Sequence, residues 1–169
     1  SSGIGKAIAT FLFAKGYIVY GTSRNPKNEK EFSFELIALD VLKLDTINTA
    51  VNYILEKEGR LDVLVNNAGM GITGPVEETP TDEMRAVFNT NLFGAIDVMK
   101  AVLPQMRKQN AGTIINVTSI AGYMGLPFRG LYSATKAALE IVTEALRMEV
   151  KSFGIEIVNV APGDFATNI

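Results

Sequence analysis

Residues 112–136 read GTIINVTSIAGYMGLPFRGLYSATK, and this stretch decides the fold. Its first part, GTIINVTS, is β-branched and apolar enough for a buried strand. From Gly130 onward the apolar and small residues of GLYSATKAALEIVTEALRMEVKSFG recur at helical spacing. A final strand, IEIVNVAPG, follows. Upstream, TPTDEMRAVFNTNLFGAIDVMKAVLPQMRKQ reads as one long helix with Thr79 as N-cap, Pro80 at the first helical position and Asp82 suiting the dipole. RLDVLVNNAG has the continuous apolar run of a strand buried on both faces, ended by Asn66, Asn67 and Gly69. Before it lie a helix, LDTINTAVNYILEKEG, with Asp45 near its start, and a strand at Glu35–Asp40. A polar loop containing Pro26, a strand at Tyr17–Thr22 and an opening helix stopped by Gly16 complete the chain. Strands alternate with helices and lie too far apart for tight hairpins, which predicts an α/β domain with a parallel sheet covered by helices.

The bulk properties narrow the chemistry. With 169 residues, 47% hydrophobic and 20% charged, the chain fits one domain with a substantial core. A net charge of −2 gives no electrostatic case for nucleic acid or an anionic membrane as partner. No apolar run approaches the roughly 20 residues that span a bilayer and no signal-peptide pattern occurs, so a cytoplasmic location is expected. There is no Cys and no His, which removes thiolate nucleophiles, Cys- or His-ligated metal and the Ser-His-Asp triad. Acid–base catalysis must therefore use Tyr, Lys, Asp or Glu, and no metal site is expected.

Tyr132 and Lys136, four residues apart, share a helix face. An ammonium beside a phenol favours the phenolate and lowers a Tyr pKa from its reference of about 10, which makes the Tyr a general acid or base. Spacing alone does not select this pair, because Tyr53 and Lys57 in YILEK repeat it on an ordinary amphipathic helix. Context does: thirteen residues before Tyr132 stands Ser119, just past a strand, whereas thirteen before Tyr53 stands Asp40. In a parallel sheet, ligands collect beyond the carboxyl ends of the strands, where Ser119, the NNAG turn, Arg24 and PGDF all fall. At the chain start, Gly3 and Gly5 would let backbone N–H groups approach a pyrophosphate at a helix N-terminus. GIGK also matches the tail of a P-loop, with Ala7 where that motif carries its Mg²⁺-binding hydroxyl.

In order along all 169 residues, SSGIG, LDV, NNAG, NTNLFG, INVTSIAG, YSATK and APGDFATN resemble the motif series of the short-chain dehydrogenase/reductase family. The resemblance implies a doubly wound parallel sheet of Rossmann type and hydride transfer between a nicotinamide cofactor and a carbonyl or alcohol. It makes Tyr132 the acid/base, Lys136 its activator and a ribose contact, and Ser119 a hydrogen-bond donor to the substrate oxygen. Asn91 would shape a helix bend and hold a water of the proton relay. Cofactor contacts would come from Ser1, Ser2, Gly3, Ile4 and Gly5 at the phosphates and Asp40 and Val41 at the adenine. Asn67, Ala68 and Gly69 would lie near its ribose, and Phe165 and Thr167 near the carboxamide. The family's first strand and leading Thr-Gly do not precede Ser1, so a single catalytic domain over residues 1–169, cut at both ends, is expected. In the family that strand lies centrally, between those read at Tyr17 and Leu61.

An NAD-preferring site carries an acidic residue at the end of the second strand. Here the stretch reads YGTSR, with Ser23 at the acidic position and Arg24 after it, and a guanidinium grips a 2′-phosphate bidentately. NADP(H) is therefore expected, ahead of NAD(H). Ile120, Tyr123, Met124, Leu126, Pro127, Phe128 and Phe165 form an apolar pocket edge opposite Gly71 and Gly74, which suits a hydrophobic ketone or secondary alcohol. The family resemblance further implies a homodimer or homotetramer. A dinucleotide-binding regulatory or structural protein without turnover is the alternative reading.

Overall fold

The computed structural model describes residues 2–26 and 32–163. Helix α1 (Gly3–Ala14) ends at Lys15, and Gly16 follows at φ +87°. Gly16 N donates to Phe13 O and Tyr17 N to Leu12 O, the paired bonds of a Schellman stop. That stop consumes Tyr17, so strand β1 runs from Tyr20 to Ser23 rather than from Tyr17. Its parallel partner β2 (Glu35–Ala38) ends where β1 ends, with Ser23 opposite Ala38. Asp40, expected in the strand, instead closes a turn whose Leu42 N–H it accepts at 3.1 Å. Helix α2 (Leu44–Glu58), with Asp45 in its first turn, stops at the left-handed Gly59 and leads to β3 (Val63–Asn66).

Helix α3 (Thr81–Phe88), a π-helical turn (Asn89–Phe93) and α4 (Gly94–Gln109) follow as one continuous run. The expected N-cap moves by one residue: Pro80 occupies the capping position, and the Thr79 hydroxyl donates to Pro75 O at 2.8 Å within the preceding turn. The chain then forms β4 (Gly112–Val117), a 3₁₀ turn (Ile120–Tyr123), α5 (Gly130–Val150) and β5 (Ile155–Val160).

All strand pairs are parallel, as expected, but among the described residues they form two sheets, β1-β2 and β3-β4-β5. The break falls between β1 and β3, where the sequence reading expects a strand. Contrary to the expectation of a strand buried on both faces, Val63 of β3 is 42% exposed. The core lies between the three-stranded sheet, α4 and α5, around Met99, Val102, Met106, Ile114, Leu139 and Ile157. The run Thr81–Gln109 is long and apolar enough to cross a membrane by length and composition, and half of its most apolar window is buried inside the fold.

A polar row crosses this core. Asn66, Asn116 and Asn159 stand opposite one another on β3, β4 and β5. Asn66 Nδ2 donates to Asn116 Oδ1 at 2.9 Å, and Asn116 Nδ2 donates to Thr143 Oγ1 of α5 at 2.8 Å. A one-residue slip would turn every amide to the other face, so the row pins the register and keeps the strand ends flush. Asn116→Leu takes one bond from each partner, Asn66 keeping Ala95 O at 3.3 Å and Thr143 keeping Leu139 O at 2.7 Å, and is expected to cost about 1–3 kcal/mol, read as a lower urea midpoint at unchanged m.

Candidate active site at the carboxyl edge of the sheet

At the carboxyl ends of β3 and β4, Ser2, Gly3, Ile4, Asn67, Gly69, Ser119, Tyr132 and Lys136 line one cavity of about 150 Å³. Thus the chain start, the NNAG turn and the helix carrying the Tyr–Lys pair meet as expected. Met70, Val117, Thr118, Pro162 and Gly163 complete its wall. The part played by Val117 was invisible in the sequence because it is a backbone carbonyl that acts.

Lys136 is the electrostatic centre. It is 5% exposed, its Nζ donates to Val117 O at 2.9 Å, and it lies 5.8 Å from the centre of the Tyr132 ring. Burial disfavours the ammonium and brings its pKa down to about 8. The Tyr53–Lys57 pair has another fate. Tyr53 Oη and Lys57 Nζ both donate to Glu35, at 2.5 and 2.6 Å, on the protein surface. That carboxylate raises the Lys57 pKa, opposite in direction to Lys136.

Asn91 sits within the π turn and is buried. Its Oδ1 accepts from Met70 N at 2.8 Å, while Nδ2 donates to Met70 O at 2.9 Å and to Thr135 Oγ1 at 3.1 Å. Thr135 in turn donates to Tyr132 O at 2.7 Å, so one amide clamps the loop after NNAG to the helix of Tyr132. Ser119 caps the 3₁₀ turn, its Oγ accepting from Ala121 N at 3.2 Å, which leaves the hydroxyl proton available to a ligand.

The α1 N-terminus has no side-chain cap and no acidic residue in its first turn, so its first N–H groups are unpaired within the helix. Gly3 has φ +50°, a left-handed conformation that favours glycine. A Cβ at Gly5 would stand 2.7 Å from Asn67 Nδ2, and one at Gly69 would stand 3.6 Å from Lys136 Nζ. This glycine-lined cradle fits an anionic, phosphate-bearing cofactor. The cavity accommodates only part of a dinucleotide.

Five predicted cofactor contacts lie off the cavity wall, Gly5 of α1 among them. Asp40 and Val41 follow β2, where Val41 packs so closely on α4 that a Cβ at Gly94 would come within 2.9 Å of it. Arg24 is exposed just beyond β1, and Ala68 is exposed within the NNAG turn. Ser1, Phe165 and Thr167 lie outside the described residues. The expected pocket edge is an exposed rim rather than a wall: Tyr123 is 65% and Phe128 62% exposed.

The family model for short chain dehydrogenases matches residues 1–169, and the chain belongs to this family, with its doubly wound Rossmann-type α/β fold. The 3-ketodihydrosphingosine reductase of Bacteroides thetaiotaomicron is 48% identical over 167 residues, covering 99% of this chain and 62% of that protein. An NADPH-dependent 3-dehydrocapnine reductase from Ornithobacterium rhinotracheale is 34% identical, covering 100% of this chain and 64% of its own length. Among solved structures, ElxO with NADP bound superposes with a TM-score of 0.91 at 36% identity, covering 99% of this chain and 71% of that one. The chain therefore spans a little under two thirds of these curated relatives.

Proposed function

We propose that this chain is the cofactor-binding and catalytic part of an NADP(H)-dependent reductase acting on a hydrophobic, long-chain ketone. The observation that carries this reading is the buried Lys136 ammonium beside Tyr132, in one cavity with Ser119 and the uncapped α1 N-terminus. Gly3, Ile4 and Gly5 would hold the cofactor's phosphates through backbone N–H groups, and Asn67, Ala68 and Gly69 would border a ribose. Asp40 and Val41 would meet the adenine, Arg24 the 2′-phosphate, and Phe165 and Thr167 the carboxamide. Bound NADPH supplies a hydride to the carbonyl carbon. Ser119 donates a hydrogen bond to the substrate oxygen, Tyr132 delivers its phenolic proton to that oxygen, and Lys136 stabilises the phenolate left behind. Asn91 shapes the π turn and holds a relay water that reprotonates Tyr132.

NADP(H) is supported by Ser23 at the acidic position with Arg24 after it, and by the NADP-bound and NADPH-dependent relatives. The ketone class is supported by the apolar rim and by two relatives named as reductases of 3-ketodihydrosphingosine and 3-dehydrocapnine. A homo-oligomer through α4 and α5 is favoured by an apolar groove lined by Ile96, Met99, Leu103, Val142 and Leu146, and light scattering tests it.

Initial rates with NADPH and NADH on a long-chain 3-ketone and on a short ketone test the whole reading. A clear NADH preference overturns the cofactor assignment, and equal kcat/KM for the two ketones overturns the substrate class. No turnover with tight NADPH binding favours the regulatory alternative. Arg24→Ala is expected to raise KM for NADPH about 10-fold with NADH unaffected, the loss of a charge-assisted contact to phosphate.

A further inference from the structure

Glu140 is 7% exposed and lies one helical turn beyond Lys136 on α5. Its carboxylate is held by three neutral donors. Oε1 accepts from Thr118 Oγ1 at 3.0 Å and from the Tyr123 hydroxyl at 2.7 Å, and Oε2 accepts from Asn159 Nδ2. A buried carboxylate without a paired cation is expensive unless fully hydrogen-bonded. Stability alone does not explain why one is kept here.

The donors have a pattern. Thr118 immediately precedes Ser119, and Tyr123 ends the 3₁₀ turn that Ser119 caps. Tyr123 turns a largely exposed ring outward while its hydroxyl donates to the carboxylate, and that hydrogen bond raises the phenol's pKa. Thr118 N also donates to Val160 O at 2.8 Å, tying the same point to β5. Both ends of the Ser119 turn are thus bolted to the helix that carries Tyr132 and Lys136, and Asn159 fixes the bolt to β5.

We propose that Glu140 is a positioning residue, its carboxylate locking Thr118 and Tyr123 to α5 and so setting the Ser119 hydroxyl against the Tyr132 phenol. The inference rests on the reading of Ser119 and Tyr132 as the groups that meet the substrate oxygen. Reacting groups displaced by about 1 Å lose on the order of 100-fold in rate, so the lock acts on turnover more than on cofactor binding.

The test uses the protein expressed from its complete reading frame. E140L is expected to lower kcat for ketone reduction about 10–100-fold, with NADPH Kd from fluorescence titration within about 2-fold of wild type. E140Q removes the charge but can still accept from Asn159 Nδ2, or donate to an Asn159 amide turned to present Oδ1, so its kcat should lie between those of E140L and wild type. Because E140L could compromise folding, Y123F and T118V each cut one bolt and should lower kcat about 3–10-fold in protein that stays folded at the assay temperature, with a modestly lower Tm. Wild-type kcat in both overturns the proposal, as does wild-type kcat in E140L. Ser119→Ala separates this inference from the reading beneath it. Wild-type kcat in S119A overturns that reading, whereas a large loss in S119A to which E140L adds in full overturns only the role of Glu140.

Discussion

Replacing Tyr132 by Phe is expected to lower kcat for ketone reduction at least about 10³-fold while leaving NADPH affinity within about 2-fold of wild type. The substitution removes one oxygen and its proton. The ring remains at the cavity wall, and Asn91 and Thr135 still hold the backbone of residue 132 through the carbonyl that Thr135 bonds at 2.7 Å. Binding at the α1 N-terminus draws on backbone N–H groups that the change does not touch. Single-turnover rates and fluorescence titration of NADPH measure the two quantities separately. Equal turnover in Tyr132→Phe would remove this residue from the mechanism. A parallel loss of NADPH affinity would make it a binding group instead.

The second large effect is a trade between activity and stability at Lys136. Lys136→Met keeps the length and apolar bulk of the side chain but removes the ammonium that stabilises the phenolate, and turnover should fall about 10²–10⁴-fold. The stability of the free protein should move the other way near neutral pH. Burial lowers the folded-state pKa of Lys136 from 10.5 to about 8. Between those values the unfolded chain binds the extra proton, so stability rises with pH across that window. The burial penalty on the ammonium is therefore complete below pH 8 and gone by about pH 10.5, on the order of 3 kcal/mol from end to end. Methionine escapes that penalty but leaves Val117 O without the donor it has at 2.9 Å, a loss of about 1–2 kcal/mol. Lys136→Met is thus expected to be about 1–2 kcal/mol more stable than wild type at pH 7 and less stable at pH 10. Urea midpoints at the two values check the crossing. A difference of constant sign would place the lysine's proton elsewhere. The same titration predicts an alkaline fall in kcat/KM with an apparent pKa near 8, as the ammonium is lost.

Much of the site was legible because helical periodicity and strand-end position are local properties. Tyr132 and Lys136 share a helix face by spacing, and Ser119 follows a strand whose apolar run marks its end. The same rule could not reject Tyr53 and Lys57 on spacing alone. What separates the pairs is Glu35, eighteen residues from Tyr53, which parallel pairing of β1 and β2 brings to the surface of α2. Boundaries were the weakest part of the reading. Tyr17 was claimed by the stop of α1, and Thr79 by a turn that uses its hydroxyl as a donor, in both cases through bonds that compete with the expected element.

The sequence by itself determined the parallel α/β order and the lack of Cys and His within these 169 residues, and it brought Ser119, Tyr132 and Lys136 forward as candidates through spacing and family resemblance together. Only the tertiary structure decided how these groups are charged and held. Lys136 is an easily deprotonated cation because it is buried against Val117 O, and Asn91 is a clamp because the π turn aims it at Met70. Glu140 meets Thr118, Tyr123 and Asn159 only because β5 lies beside β4 in register. Desolvation and cross-strand register arise from parts of the chain far apart in sequence, so no local pattern records them.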